Sequence, residues 1–277
     1  MTKRKKLIVL SGVIGGVIVL LLILAFTLFG LKTIEFNNLN QTNILESQED
    51  KNFTINASGL KKNSCVLFLN KNAAVKNIEE EIPYLKVVNI ETVFPNKVII
   101  HYAQREEVFA VKSSEDKFFI VDNELKVLRY VENSEGYVSS RNNPILVNGL
   151  TVENKTAKVG EKLVLKEHEQ VLKNLSRALC LCNRDVVEQK SLFKSIDFKN
   201  SNNQEVLTGE KTYVEILDFN DFKINIYAPS TNLNEKMQIC LATLPYAVPQ
   251  YINTHYLEIL TNSQGEIFSK LTIKTNN

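Results

Sequence analysis

From Leu7 to Leu31 the chain reads LIVLSGVIGGVIVLLLILAFTLFGL, 25 residues without a charge. At about 1.5 Å per residue, a helix of that length exceeds the roughly 30 Å of hydrocarbon in a bilayer, so the run is expected to form one tilted spanning helix. Such a helix satisfies its own backbone, and Ser11, Thr27 and the glycines at 12, 15, 16 and 30 are tolerated within it. A cleaved signal peptide would have an apolar core of only about 7 to 15 residues before a small-residue cleavage site. This run is longer and ends Phe29-Gly30-Leu31-Lys32, which favours an uncleaved anchor. Lys3, Arg4, Lys5 and Lys6 precede it, whereas Lys32 beyond it is balanced by Glu35. The positive-inside rule then leaves a cytoplasmic tail of residues 1–6 and places everything after residue 31 outside.

The outer part must carry the function, because six residues cannot form a catalytic or signalling domain. The 277-residue chain has 33 basic and 31 acidic residues, and without the leading basic cluster the balance is nearly neutral. A nucleic-acid binder would carry a clustered positive excess. Lys32 to Phe36 alternates like a strand, and Asn37 to Asn56, rich in Asn, Gln, Ser and acids, reads as loop with at most a helical turn at Ile44-Leu45-Glu46. After a Gly59 turn and the apolar run Val66 to Leu69, the residues Ala74, Val75, Ile78 and Ile82 recur at helical spacing until Pro83. Strands at Leu85 to Glu91 and Lys97 to Tyr102 flank a Phe94-Pro95-Asn96 turn, completing a small α+β unit.

Beyond Ala103 short strands dominate: Val108 to Lys112, Phe118 to Val121, Val127 to Val131, Ile145 to Val147, Phe193 to Phe198, Tyr213 to Leu217, Phe222 to Tyr227, Tyr256 to Leu260 and Ile267 to Ile273. Two helices interrupt them. One is marked by Val171, Leu175, Ala178 and Cys182; the other, by Met237, Cys240, Leu241 and Leu244, is expected to start at an Asn232/Glu235 capping box and to stop at Pro245. The fold class is therefore α+β, ending in a mostly antiparallel β domain with helices on one face.

Catalytic constellations are hard to find. Ser114-Glu-Asp-Lys117 and Ser191-Leu-Phe-Lys194 match the SxxK of penicillin-recognising enzymes. Those enzymes also need S-D-N and K-T-G elements; no S-D-N occurs here, and Lys211-Thr212 is followed by Tyr213. His101, His168 and His255 are isolated, so no metal is expected. Cys180, Cys182 and Cys240 read as buried small residues, with a disulfide between Cys240 and one of the pair left open. No catalytic residue, cofactor or small-molecule substrate is expected. The alternative is a membrane-anchored cell-wall enzyme, a transpeptidase or peptidase. Without chemistry, what remains is a binding or scaffolding module that uses sheet edges and apolar grooves.

The stretch from Ser58 to Leu128 resembles the FtsQ/DivIB family of bacterial cell division proteins. The family pattern sGl-x-x-G-x-n-l-f-x-l appears as SGLKKNSCVLFL; then come Pro83-Tyr84-Leu85, Val88 and Ile90, Pro95 with Val98, Ile100 and Tyr102, and Gln104-Arg105-Glu106-Glu107-Val108-Phe109-Ala110. Phe119-Ile120-Val121-Asp122 through Val127-Leu128 closes the match. Thr92, Gln104, Glu107 and Leu125 stand where the family usually has arginine, glutamate, proline and glycine. A weaker likeness continues through Phe222 to Tyr227, Asn234-Glu-Lys236 and Tyr256 to Ile259. The resemblance implies a tail at 1–6, a transmembrane helix at 7–31, a POTRA-like domain at 32–103, a β domain at 104–260, and a final strand and tail at 261–277. It further implies a non-enzymatic, single-pass component of the division septum, lying in the cytoplasmic membrane, that joins partners of the FtsB/DivIC and FtsL type and helps control septal wall synthesis. Its partner-binding residues would be Tyr256, Leu257, Glu258, Ile259, Gly265, Ile267, Phe268 and Ser269, with alternate members facing the core; the POTRA surface from Phe94 to Lys97 is a second candidate.

Overall fold

The computed structural model describes residues 12–17, 19–20, 23, 27–40, 44–113, 117–132, 137, 139–182, 186–201 and 208–274. They belong to two compact units, residues 1–105 and 106–277. Of the expected span, residues 12–17, 19–20, 23 and 27–28 are helical, while 7–11, 18, 21–22 and 24–26 lie outside the described residues. Among the described residues no helix is long and apolar enough to cross a membrane.

The first unit contains β1 (Thr33–Asn38), α1 (Gln48–Ser58), α2 (Lys71–Glu81), β2 (Leu85–Val93) and β3 (Lys97–Gln104). β3 lies centrally, parallel to β1 and antiparallel to β2. Alternation along β3 turns Val98, Ile100 and Tyr102 inward, where they meet Ala74 and Ile78 of α2 and Leu85, Val87 and Ile90 of β2. The Arg105 guanidinium lies 3.0 Å from the Glu79 carboxylate, both side chains largely buried, and this ties the end of β3 to α2. α1 corrects the expected loop. The Ser47 hydroxyl accepts from the Asp50 N–H and the Asp50 carboxylate accepts from the Ser47 N–H, forming a capping box, and Gly59 ends the helix at φ 68°. Because α1 buries only Thr54 and Ser58, no apolar spacing announced it.

The second unit is built on β4 (Phe109–Lys112), β5 (Lys117–Val121), β6 (Val127–Glu132), β7 (Ile145–Asn148), β8 (Phe193–Asn200), β9 (Thr212–Asp218), β10 (Lys223–Tyr227), β11 (His255–Thr261) and β12 (Ile267–Ile273). These strands make one sheet in the order β12-β11-β10-β9-β8-β7-β4-β5-β6. β7 runs parallel to β4 and β8, and β10 parallel to β11; the other pairings are antiparallel. The sheet is thus mixed. Helices α3 (Glu169–Leu181) and α5 (Leu233–Tyr251) pack on each other, and their apolar stripes, including Leu172, Leu175, Met237 and Cys240, share one core with Ile196, Ile216, Ile224, Leu257 and Ile259 of the sheet.

Three local expectations change. Asn232 adopts φ 50° and makes no side-chain cap, because a capping side chain needs extended backbone. α5 does not stop at Pro245 but runs through Pro245 and Pro249 to Tyr251, since burial of Leu244 and Ala247 outweighs the two missing N–H groups. A short helix α4 (Val186–Leu192), unforeseen, is joined to α3 by Gln189, whose amide donates to Ser176 O and accepts from Ser176 Oγ.

Candidate partner-binding edge

β11 and β12 form a hairpin in register from His255↔Ile273 to Thr261↔Ile267. Its turn is organised by Asn262, whose side-chain oxygen accepts from the Gln264 and Glu266 N–H groups at 2.9 Å, and by Gly265 at φ 88°. At one end the Asn262 N–H donates to Glu266 O, and at the other the Lys274 N–H donates to Thr254 O. Antiparallel alternation between these two points makes Leu260/Phe268, Glu258/Lys270 and Tyr256/Thr272 the hydrogen-bonded pairs. Ile267, Ser269, Leu271 and Ile273 therefore aim their N–H and C=O groups away from β11. β12 is the last strand in the order, and no described residue pairs with that outer edge.

The faces divide the eight expected residues. Leu257 and Ile259 are fully buried in the helix-covered core, so their side chains are structural. Ile267 packs half-buried on that side, and Ser269 is exposed beside Thr243 of α5. Tyr256, Glu258 and Phe268 occupy the opposite face, and Gly265 the turn.

That opposite face carries a polar band across three strands, Glu215 opposite Asn225 and Asn225 beside Glu258. Glu258 accepts from the Tyr227 hydroxyl at 3.0 Å and from the Thr272 hydroxyl, and Glu215 lies 2.6 Å from Lys199 and 3.0 Å from Lys223. Burial pushes the Glu215 carboxyl up, but the hydrogen bonds and charges of Lys199 and Lys223 outweigh it and hold it below the usual range. Burial, reinforced by Glu258, pushes the Tyr227 hydroxyl upward, so it stays a neutral donor. The Tyr213 and Tyr227 rings stack 5.2 Å apart. Asn225 is buried with its Oδ1 unpartnered. These carboxylates already have donors within the sheet, so the band is held in place by its own hydrogen bonds and ion pairs.

Behind this face, Lys236 of α5 is fully buried. Its ammonium donates to Tyr227 O at 2.9 Å, Ala228 O at 2.8 Å and the Thr231 hydroxyl at 3.4 Å. It pins the turn from β10 into α5, where Ala228 and Asn232 have φ of 45° and 50°. Sequence reading took this residue only as part of a helix motif; its buried role left no signal in apolar spacing.

Ser114 lies outside the described residues. Ser191 lies in the last turn of α4 and donates to Glu188 O, while Lys194 sits on β8 with its ammonium 2.8 Å from Asp221, so the two do not share a helix. Among the described residues no group of three His, Cys, Asp or Glu could hold a metal ion. Cys180, Cys182 and Cys240 lie outside any disulfide; Cys240 is buried as expected, its thiol pushed up to about 12 chiefly by burial, but Cys180 is exposed and Cys182 half-buried, which corrects the reading of all three as buried residues.

The family model of the FtsQ-type POTRA domain matches residues 48–101, from the start of α1 into β3. The chain is also similar to the cell division protein DivIB of Clostridium acetobutylicum, with 31% identity over 130 residues, 47% of this chain and 47% of that protein. The match therefore spans about half the length of its curated relative. Together the two matches support the FtsQ/DivIB family for this chain, the family that Ser58 to Leu128 resembles.

Proposed function

We propose that this chain is a non-enzymatic, single-span scaffold of the bacterial division machinery, anchored in the cell membrane at the septum, which binds FtsB/DivIC- and FtsL-type partners by strand addition to β12 and helps regulate septal peptidoglycan synthesis. The observation that carries the reading is the outer edge of β12. It offers main-chain groups of four alternate residues, has no proline, and is flanked by Tyr256, Glu258 and Phe268. Natural edges are usually blunted by charge or proline. Here Lys274 is turned onto Ile252 O at 2.7 Å and Lys270 lies 4.0 Å from Glu258, so neither guards the edge. A partner strand would gain hydrogen bonds without any special side chain, which is how strand addition works. Relationship to a division protein supplies the setting, and the POTRA domain the class.

The test uses the register. Ser269→Pro removes an outward N–H and puts a ring where a partner strand would lie, leaving the bonds to β11 in place. Lys270→Pro removes an inward N–H and should destabilise the hairpin itself. Detergent-solubilised Ser269→Pro and Ile267→Pro proteins, folded by thermal melt, are expected to lose a DivIC-like partner in pull-down. Wild-type capture by proline variants throughout residues 266–271 would place the edge elsewhere and move the search to Phe94 to Lys97.

A further inference from the structure

We propose that the membrane-proximal end of the first unit rests in the lipid surface, through an apolar rim of Leu67, Phe68 and Phe94 that enters the headgroup layer; the proposal rests on reading residues 7–31 as a membrane span. Phe68 is 77% exposed, Phe94 61% and Leu67 48%. Such side chains on a folded domain mark a contact surface, above all when they stand together. They do stand together, because main-chain bonds gather the loops that carry them around the point where the apolar run enters the domain. The Val66 N–H donates to Phe29 O, Leu31 N–H to Ser64 O, Asn63 N–H to Leu31 O and Lys32 N–H to Asn96 O, each at 2.8 Å. Leu31 is fully buried in the domain core, so no slack separates the run from the fold. The Phe29 ring meets the Phe94 ring edge-on, centroids 6.1 Å apart, which makes the rim continuous with the apolar run.

Charge agrees with a lipid partner. Lys32, Lys61 and Lys62 are exposed around the same loops, and no described carboxylate pairs with any of them. Aromatic tips with lysines beside them fit the boundary between acyl chains and anionic headgroups. A rim so placed would hold the domain against the bilayer at two loops as well as at the chain.

The chain contains no tryptophan, so single Phe68→Trp, Phe94→Trp, Leu20→Trp and Phe53→Trp substitutions each give the full-length protein one indole. The proteins are reconstituted in phosphatidylethanolamine/phosphatidylglycerol vesicles containing lipids brominated either near the headgroup or deep in the chain. Expected are blue-shifted emission and quenching by shallow bromines at positions 68 and 94, quenching by deep bromines at position 20, and water-like emission at position 53 on α1. Quenching at 20 with unquenched, water-like emission at 68 and 94 would overturn the proposal and leave the rim to a protein partner, the span standing. Loss of quenching at all three positions would overturn both readings. Shallow quenching at 53 as well would mean the whole unit lies in the interface, and the rim would have no special part.

Discussion

Leu125 stands where the FtsQ/DivIB pattern has glycine, and its φ of 67° shows why glycine suits the site. The turn between β5 and β6 is drawn in by Asp122, whose carboxylate accepts from the Glu124 and Lys126 N–H groups. Leu125 accepts the left-handed backbone because its side chain is wholly buried in the core. The backbone costs roughly 1 to 2 kcal/mol, whereas deleting a buried leucine side chain costs about 3 to 5 kcal/mol. Leu125→Gly should therefore destabilise the second unit by about 2 kcal/mol, read as a lower denaturant midpoint; an unchanged or higher midpoint would show that strain dominates. Glu107, in place of the family's proline, is gripped through both oxygens by Arg129, so the departure has its own anchor. Glu169 gives a pH prediction. Burial pushes its carboxyl up, but Lys162 and Lys173, each 2.8 Å away, outweigh that and hold it down to about 2. A carboxyl depressed on folding stabilises above its unfolded value, and that contribution fades as pH falls from 4.5 toward about 2. Thermal melts across that window should drop less steeply for Glu169→Gln than for the parent protein.

At the scale of elements, α5 shows burial overriding local chemistry. Pro245 is exposed and removes the N–H that would bond Leu241 O, yet the helix continues because Leu244 and Ala247 are buried on the sheet side. Pro245→Ala would restore that bond without touching the core. A proline in a helix interior costs about 3 kcal/mol, and its rigidity in the unfolded chain returns up to about 1 kcal/mol. The variant should be more stable by about 2 kcal/mol in urea unfolding; a loss would mean the carbonyl freed at Leu241 has another partner. Strands of the second unit were legible in two ways: β9 alternates, burying Val214 and Ile216 and turning Tyr213 and Glu215 outward, whereas β4 and β5 are buried at nearly every residue and stand out as short apolar runs. α1 was not, although Ser47, Asp50 and Gly59 spell its caps, because the reading relied on apolar spacing and this helix buries polar side chains. Strand order was out of reach for the same physical reason that parallel pairings are slow to form. β4 with β7, β7 with β8 and β10 with β11 join distant stretches through contacts no local pattern encodes.

For the molecule as a whole, the topological prediction is a cytoplasmic N-terminus with everything after residue 31 outside, argued from Lys3 to Lys6 before the uncharged run. Protease added to spheroplasts should digest the part of the chain beyond residue 31, and protection of Lys190 to Lys211 in intact spheroplasts would reverse the orientation. Of the candidate site, the sequence showed which strands come last and that alternate residues must face inward; it could not show which set does, because both sets of each strand hold apolar residues, Leu257 and Ile259 against Tyr256 and Leu260, and Ile267 and Leu271 against Phe268. Nor did it reveal the polar band of Glu215, Asn225 and Glu258, which depends on three strands meeting in register. The strand order has one more consequence, in time. β12 is formed by residues 267–273, after every other strand of its sheet, and it needs β11 beside it. A chain still emerging from the ribosome or halfway through export has no such edge to offer. Recruitment through β12 would thus wait for delivery of the finished domain, and a prematurely terminated chain would be ignored by the partner rather than titrate it away.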